Sequence, residues 1–339
     1  MKRLALLGIT LIFIFALIKH NKDQEATKES YLRNEGTVFG TIYHIIYESE
    51  EDFHLDIKAE LKKFDNSLSM FNKQSTLSRV NQNDSTVLLD EWTEYVLTKG
   101  LDISKNTDGA FDMTVAPLVN AWGFGFKKSD SVTPEIIDSL RSFIGYTTIA
   151  IESNKVRKAD DRTMLDASAI AKGYACDVIA ELLTSKGVEN YMVEIGGEVA
   201  AKGVNHKDLC WRIGINKPIE DNSTNTGEIE EIVQLCDGGM ATSGNYRNFY
   251  YKDGKKVAHT IDPRTGYPVE HSLLSATVIA DNCMEADAYA TAFMVLGLER
   301  SLKIAQNNPS LAALFIYDSG DGKTAIATTD NFSNYLIEE

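Results

Sequence analysis

The sequence predicts an α+β fold, built mainly from antiparallel sheets with helices packed on them. Short β-rich segments outnumber the helices that could connect parallel strands. Many of these segments are joined by tight turns, as at Ser153-Asn154 and Asp253-Gly254. The 339 residues suffice for one large domain or two lobes, and we find no internal repeat or low-complexity tract.

The composition is that of a globular protein, with 43% apolar and 24% charged residues. The formal net charge of −15 indicates an acidic surface. Non-specific binding to nucleic acid requires a basic surface, so we expect no nucleic-acid partner.

The N-terminus has a different character from the rest of the chain. Two basic residues precede an uncharged run, residues 4–18, which is typical of a signal-peptide core or a short membrane anchor. A buried core helix is the weaker interpretation, because the polar residues that follow would leave it attached to nothing. No small-x-small cleavage site follows the run, which favours an uncleaved anchor. We therefore expect an exported protein with a signal or anchor over 1–18, a solvated linker over 19–35 and one domain over 36–339.

In the first half of the domain, β-branched and aromatic residues predict a strand over 36–47. Apolar residues at helical spacing predict helices over 53–64 and 91–106. The loop that follows, 110–125, ends in a segment with glycine on both sides of an aromatic residue. That pattern is consistent with backbone close to a flat ligand, but also with a buried aromatic loop.

Further along the chain, Thr133 before Pro134 predicts the start of a helix that runs to 143. Ser168 predicts the start of another helix, which runs to 186 and is closed by Gly187. Two more helices are predicted over 285–296 and 301–307. The predicted strands are 147–151, 155–158, 164–166, 191–195, 210–216, 232–236, 274–280, 311–317 and 324–328.

The four cysteines are widely spaced and contain no CxxC pair, which argues against a thiolate metal site. An exported protein can form disulfides, but each cysteine lies in an apolar segment. We therefore expect buried free thiols. The residues are Cys176, Cys210, Cys236 and Cys283.

Asp287 and Thr291 are four residues apart on a predicted helix, so both side chains share one face and offer oxygens to a hard cation. A polar pair on an alanine-rich helix can equally face solvent. The largely apolar neighbours favour a buried helix, in which a carboxylate without a partner is costly.

Two other segments carry candidate chemistry. The turn from Asp262 to Gly266 is either an ordinary turn or the place where His259 acts as a general base beside a phosphate. Asp166 and Lys172 bracket the N-terminal end of a predicted helix, where free amides attract anions. A capped helix with a solvated lysine explains the second pattern equally well.

Taken together, these segments resemble the ApbE family over roughly residues 36–314. Their order and spacing carry the resemblance more than any one of them does. The matching motifs are Phe111-Asp112 through Trp122-Gly123-Phe124-Gly125, Asp166 through Lys172-Gly173-Tyr174-Ala175, Gly196-Gly197-Glu198, Thr242-Ser243-Gly244-Asn245-Tyr246, His259-Thr260-Ile261-Asp262-Pro263 with Thr265-Gly266, and Ala286-Asp287.

The resemblance implies a single domain with an FAD site in a cleft, and a transferase on the periplasmic side of a bacterial inner membrane. The implied reaction passes FMN from FAD to a threonine or serine hydroxyl of a target protein, such as a membrane redox-pump subunit, and releases AMP. It also implies His259 as the base and Mg²⁺ held by Asp287, Thr291 and the backbone oxygen of Ala169. The implied FAD contacts are Phe39, Phe71, Asp112, Met113, Thr114, Asp166, Lys172 and Ile261.

Three residues depart from the family's pattern. Phe39 stands where many members have methionine, and Phe71 stands where tyrosine is common. Ala290 stands where some members carry a second aspartate, so the metal site would depend on fewer carboxylates.

The same residues permit other functions. The same site could use water and act as an FAD pyrophosphatase. A non-catalytic flavin-binding protein is a further alternative, which the loss of His259 or Asp287 would have favoured. A structural exported protein with accidental motifs is the weakest interpretation. The chain lacks the acceptor motif of the family's targets, so we do not expect self-modification.

Overall fold

The structure is a computed structural model that describes residues 30–124, 132–218, 228–245, 249–252, 255–320 and 323–337. The predicted anchor over 1–18 and the predicted turn at 253–254 lie outside these ranges. None of the helices within them has both the length and the apolar character needed to cross a bilayer.

The described residues form fourteen strands and eight α-helices. Strands β1 to β14 are Tyr31–Val38, Thr41–Glu48, Ile149–Glu152, Lys155–Lys158, Tyr191–Ile195, Glu198–Lys202, Trp211–Asn216, Ile229–Leu235, Asp237–Gly244, Phe249–Lys252, Lys255–Ala258, Leu273–Ala280, Ala312–Gly320 and Lys323–Thr328. Helices α1 to α8 are His54–Leu68, Thr76–Asn81, Glu91–Asn106, Ala116–Ala121, Pro134–Arg141, Ala171–Ser185, Cys283–Leu296 and Leu298–Gln306.

Eight of these strands form one sheet in the order β1-β2-β5-β6-β9-β12-β13-β14, and every neighbouring pair is antiparallel. Three separate hairpins, β3–β4, β7–β8 and β10–β11, are also antiparallel. The predicted α+β class with mainly antiparallel sheets is confirmed.

The sheet is covered on both faces. Helices α6 and α7 pack on one face, over strands β5, β6, β9 and β12. The β7–β8 hairpin and a short 3₁₀ segment, Asp330–Tyr335, cover the other face, where Trp211 and Phe332 join the core. Strand β12 is buried along both faces, which explains its nearly continuous apolar sequence.

The β7–β8 hairpin corrects the prediction for the cysteines. Cys210 precedes β7, Cys236 follows β8, and the two residues form a disulfide with their Cα atoms 4.6 Å apart. The expectation of a free thiol is therefore wrong for these two residues. Cys176 and Cys283 are free and buried, as predicted.

The N-terminal end of the sheet corrects a predicted boundary. The single strand predicted over 36–47 is a hairpin whose turn is formed by Phe39 and Gly40, with φ values of 52° and 76°. Strand β1 begins at Tyr31 and pairs with β2 along its length. The predicted linker is therefore wrong for residues 31–35, which belong to the folded domain.

Candidate active site

The site is organised where helix α6 meets helix α7. A Cβ added to Gly173 on α6 would lie 2.3 Å from the carbonyl oxygen of Cys283 and 2.8 Å from Cβ of Asp287. A Cβ added to Gly239 on β9 would lie 2.2 Å from the backbone of Cys283. Only glycine permits contacts this close. The two glycines therefore allow the backbone of α7 to pack directly against the backbones of α6 and β9.

The first turn of α7 is capped from α6. The two carboxylate oxygens of Asp177 accept hydrogen bonds from the backbone N–H groups of Cys283 and Met284, each at 2.8 Å. Asn282 caps the same turn by accepting from the N–H of Glu285. Burial raises the pKa of Asp177 to about 7, although both amide bonds oppose that shift. The two helices are therefore joined at the end that leads to Asp287.

Asp287 lies one turn further along α7 with 3% of its surface exposed. Its Oδ2 accepts a hydrogen bond of 3.0 Å from the backbone N–H of Gly173, and its Oδ1 is 3.8 Å from Nζ of Lys172. Burial raises the pKa of Asp287, and the Lys172 ammonium opposes this shift.

The Lys172 ammonium has a second carboxylate beside it. Its Nζ donates a hydrogen bond of 2.5 Å to Oε1 of Glu198, at the start of β6. Loss of hydration disfavours the charged lysine, but the carboxylates of Asp287 and Glu198 outweigh that effect and raise the pKa of Lys172. Burial and the Asp287 charge raise the pKa of Glu198, against the effect of Lys172. Two carboxylates and one ammonium thus form a cluster under the start of α6.

The predicted magnesium ligands lie around this cluster. Thr291 is one turn beyond Asp287 on α7, with its Oγ1 3.2 Å from Oγ of Ser243 on β9. Ala169 is half-buried just before α6, one turn ahead of Gly173, whose N–H bonds to Asp287. A carboxylate, a hydroxyl and a backbone carbonyl are the oxygen ligands that Mg²⁺ prefers.

The described ranges contain no group of three or more His, Cys, Asp or Glu side chains that could hold a metal on their own. The proposed ligand set has only one carboxylate, Asp287. One or two carboxylates are typical of a Mg²⁺ ion that also binds substrate phosphates. The donor set therefore fits such an ion.

His259 follows directly after β11 and is half-buried. Its ring lies edge-on to the ring of Phe124, with 6.3 Å between the ring centroids. The next residue, Thr260, donates a hydrogen bond of 2.6 Å to the side chain of Asn245, which follows β9. The imidazole therefore lies beside Phe124, and the hydrogen bond of Thr260 connects this segment to the end of β9, the strand that carries Ser243.

The turn after His259 is stabilised by hydrogen bonds within the turn and by one from a distant residue. Arg264 donates two hydrogen bonds of 2.8 Å to the carboxylate of Asp262. The guanidinium of Arg264 is therefore paired within the turn. Trp122 Nε1–H donates to the carbonyl of Gly266 at 2.8 Å. Ile261 is 4% exposed and packs in a small cluster with Leu118 and Ile137.

Two predicted FAD-binding segments meet through the backbone. The N–H of Asp166 donates to the carbonyl of Met113 at 2.6 Å. The carboxylate of Asp112 accepts hydrogen bonds from the backbone and hydroxyl of Thr114 and from the N–H of Tyr146. Burial raises the pKa of Asp112, and these bonds oppose the shift. The side chains of Asp112 and Thr114 therefore shape the loop itself.

The two predicted aromatic contacts lie on different turns. Phe39 forms the β1–β2 turn, and its ring centroid is 5.4 Å from that of Phe64. Phe71 lies in the loop after α1 with 76% of its surface exposed.

Sequence reasoning gave no role to two carboxylates of the site. Asp177 is in the middle of a helix, where nothing in the sequence indicates that it caps another helix. In the sequence, Glu198 is visible only as the last residue of a Gly-Gly-Glu motif. That motif is the one sequence signal for this residue, because strand β6 begins at the charged residue that directly follows the two glycines.

Comparison with known proteins identifies the family. A family model described as the ApbE family matches residues 39–315, which is most of the chain. The chain belongs to the ApbE family. Two curated ApbE-family relatives are each named FAD:protein FMN transferase. The relative from Haemophilus influenzae is 39% identical over 305 residues, covering 85% of this chain and 86% of that protein. The relative from Vibrio cholerae is 38% identical over 311 residues, covering 89% and 91%.

The fold agrees with a solved ApbE structure, the flavin transferase ApbE from Vibrio cholerae. The TM-score is 0.81 at 36% identity, and the match covers 90% of this chain and 99% of that chain. The predicted ApbE family, the transferase class and the single ApbE-type domain are confirmed. The roles of individual site residues stay predictions.

Proposed function

We propose that this ApbE-family chain transfers FMN from FAD to a threonine or serine hydroxyl of a target protein, with Mg²⁺ bound and AMP released. One arrangement carries the proposal. Asp287 on α7 contacts the start of α6, where Lys172 places a positive charge, and Thr291 lies one turn further along α7. Oxygen ligands for a cation, a cationic side chain and a helix N-terminus each favour the binding of a diphosphate.

The transfer exchanges one phosphorus–oxygen bond for another. The acceptor hydroxyl oxygen bonds to the phosphorus of the FMN half, and the bond from that phosphorus to the bridging oxygen breaks. The bridging oxygen leaves with AMP and takes the electron pair. His259 accepts the hydroxyl proton, a role open to a half-buried imidazole that follows directly after β11.

Charge at the diphosphate is offset by the chain's own groups. The Lys172 ammonium and the positive end of the α6 helix dipole attract the phosphate oxygens. Asp287, Thr291 and the carbonyl of Ala169 would hold Mg²⁺. When bound, Mg²⁺ would neutralise phosphate charge and stabilise the leaving oxygen.

Flavin and adenine contacts are assigned to the aromatic and apolar residues Phe39, Phe71 and Ile261. Asp166 is proposed to contact FAD with the carboxylate oxygen that Ser168 leaves available. The segment 112–114 is proposed to contribute mainly through the backbone that Asp112 and Thr114 fix.

The proposed target is a protein such as a membrane redox-pump subunit, and the proposed location is the periplasmic side of the inner membrane. Residues 1–18 would attach the chain to the membrane or be cleaved after export. The Cys210–Cys236 disulfide supports export, because disulfides persist mainly in oxidising compartments.

A direct test mixes the full-length protein with FAD, Mg²⁺ and a protein that carries the family's acceptor motif. Flavin fluorescence on the acceptor after a denaturing gel measures covalent transfer, and chromatography measures AMP. We expect a fluorescent acceptor with an equal amount of AMP, and neither in the presence of EDTA. FMN and AMP in solution with an unlabelled acceptor would instead identify a pyrophosphatase. FAD recovered intact would identify a flavin-binding protein.

A further inference from the structure

We propose that Glu198 is a positioning residue that holds the Lys172 ammonium away from Asp287 and so keeps Asp287 available to Mg²⁺. This inference rests on the proposed function, since it concerns the proposed metal ligand. It assigns a task to a residue that has none in the reaction described above.

The distances show how the Lys172 ammonium interacts with the two carboxylates of Glu198 and Asp287. Nζ of Lys172 is 2.5 Å from Oε1 of Glu198 but 3.8 Å from Oδ1 of Asp287, which is too far for a hydrogen bond. Asp287 receives its hydrogen bond from the backbone N–H of Gly173 on the other oxygen. The lysine therefore donates a hydrogen bond to Glu198 and forms an ion pair with Asp287 that has no hydrogen bond.

Charge explains why this sharing matters. The cluster of Asp287, Glu198 and Lys172 sets two carboxyl groups against one ammonium. Without Glu198, the ammonium would be left beside a single buried carboxylate, and their attraction in a poorly solvated site is strong. A carboxylate that is fully paired with lysine must lose that pairing before it can bind a metal ion.

Glu198 is itself held firmly and incompletely satisfied. It is 5% exposed, and its Oε2 is a buried oxygen with no hydrogen-bond partner among the described residues. Its carbonyl lies 3.3 Å from the thiol of Cys176, one turn beyond Lys172 on α6. A buried carboxylate oxygen without a partner is costly, and its presence calls for a reason other than packing. Control of the neighbouring ammonium supplies that reason.

The experiment measures binding of Mn²⁺, as a probe for Mg²⁺, by electron paramagnetic resonance. The full-length protein is used with saturating FAD and no acceptor. We expect Glu198→Gln, which keeps the shape and removes the charge, to weaken Mn²⁺ binding about tenfold or more. In a Lys172→Met background, the same substitution should change the Kd less than about twofold, because Glu198 acts through the lysine.

Three results would overturn the proposal. The first is a Glu198→Gln variant that binds Mn²⁺ as the wild type does. The second is an equal loss of affinity in the Lys172→Met background, which would show that Glu198 acts by its own charge. The third applies even if Glu198→Gln does not fold. With FAD omitted, so that the phosphate contact of Lys172 does not enter, Lys172→Met alone should bind Mn²⁺ at least as tightly as the wild type, and a large loss contradicts the proposal.

The same titration separates this inference from the proposed metal site. If Asp287→Asn binds Mn²⁺ as tightly as the wild type, the proposed metal ligand is wrong and the inference falls with it. If Asp287→Asn loses Mn²⁺ and the Glu198 variant does not, only the inference fails.

Discussion

Among the single side chains, Asp287 combines burial with a hydrogen bond to the neighbouring helix. We predict that Asp287→Asn lowers Mg²⁺-dependent flavin transfer by about 100-fold or more, because the amide removes the only carboxylate of the proposed ligand set. The amide oxygen can still accept from Gly173, so the fold should persist. Initial rates of acceptor labelling at several Mg²⁺ concentrations measure the effect.

The control for this substitution is Asp281→Asn, which changes an exposed aspartate just before the same helix. It should transfer flavin as the wild type does. A fully active Asp287→Asn variant would rule out the metal-ligand role.

His259 is the other side chain with a proposed chemical task. We predict that His259→Gln slows transfer by roughly 10²- to 10⁴-fold, as expected when a general base is removed, while FAD still binds. Single-turnover labelling and FAD titration by fluorescence measure the two effects separately. The exposed His206 provides a control, since His206→Gln should change neither. Loss of FAD affinity in His259→Gln would show that the imidazole is a ligand contact instead.

At the scale of elements, the contact between α6 and α7 depends on Gly173. Because an added Cβ would overlap the backbone of Cys283, we predict that Gly173→Ala destabilises the protein by about 2 kcal/mol or more. Urea denaturation followed by circular dichroism measures this. Ser185→Ala, an exposed position at the other end of α6, should change stability by less than about 0.5 kcal/mol. Equal stability of the two variants would contradict the close contact.

The β7–β8 hairpin provides a second test at this scale. We predict that the double variant Cys210→Ser, Cys236→Ser loses about 3 kcal/mol of stability, the amount expected for a disulfide that closes a loop of 26 residues. Transfer by the folded protein should be retained, because the hairpin covers the sheet face opposite α6 and α7. Thiol titration of the denatured, unreduced wild type should find two free thiols per chain; finding four would exclude the disulfide.

The elements that the sequence predicted well are those whose signals are local. Helix 91–106 has clear amphipathic spacing and an acidic N-cap, Asp90, and its predicted bounds agree with the structure. The Thr133 cap is also confirmed, because its hydroxyl accepts from the N–H of Ile136. Ser168 fails as a cap, since helix α6 begins at Ala171 after a turn shaped by Asp166.

The elements that were missed depend on the rest of the molecule. Strands β6 and β9 were not predicted, because one begins with a charged residue after two glycines and the other contains three glycines. Their hydrogen bonds to each other and to β5 and β12 define them. The predicted strand over 164–166 has no such partner strand and is irregular. The Cys210–Cys236 pair likewise requires the register of a hairpin that spacing alone does not reveal.

The site shows the same division. Helical periodicity predicted that Asp287 and Thr291 share one face of a helix, and both lie on α7. Anion binding at the start of α6 stays a prediction. The links between segments did not follow. The contact of Lys172 with Glu198 and the capping of α7 by Asp177 join residues far apart in sequence, so only the folded chain brings them together.

For the molecule as a whole, stability should depend on pH through Asp177. Its native pKa of about 7 is above that of an unfolded aspartate, so the native state binds the proton more tightly between roughly pH 4 and 7. The contribution of Asp177 is therefore complete at low pH and is lost as the pH rises through 7. The largest slope from one group is about 1.4 kcal/mol per pH unit.

We predict that Asp177→Asn makes the free energy of unfolding fall less steeply between pH 5 and 7 than it does in the wild type. Denaturation at a series of pH values measures both slopes. Above about pH 8, where Asp177 is charged in both states, the slopes should converge. Parallel curves across the whole range would mean that burial does not raise this pKa.

The order of strands in the large sheet has a consequence for how the chain is made. Strand β2 pairs with β5, and Asn190 bonds to Glu48 across a sequence separation of 142 residues. During synthesis, more than a hundred residues must therefore follow the β1–β2 hairpin before β5 can pair with β2. Until then, the edge of β2 that faces away from β1 is uncovered. An uncovered edge can pair with a strand of another chain. The nascent chain is thus most prone to intermolecular strand pairing before β5 is synthesised. That risk falls when β5 pairs with β2.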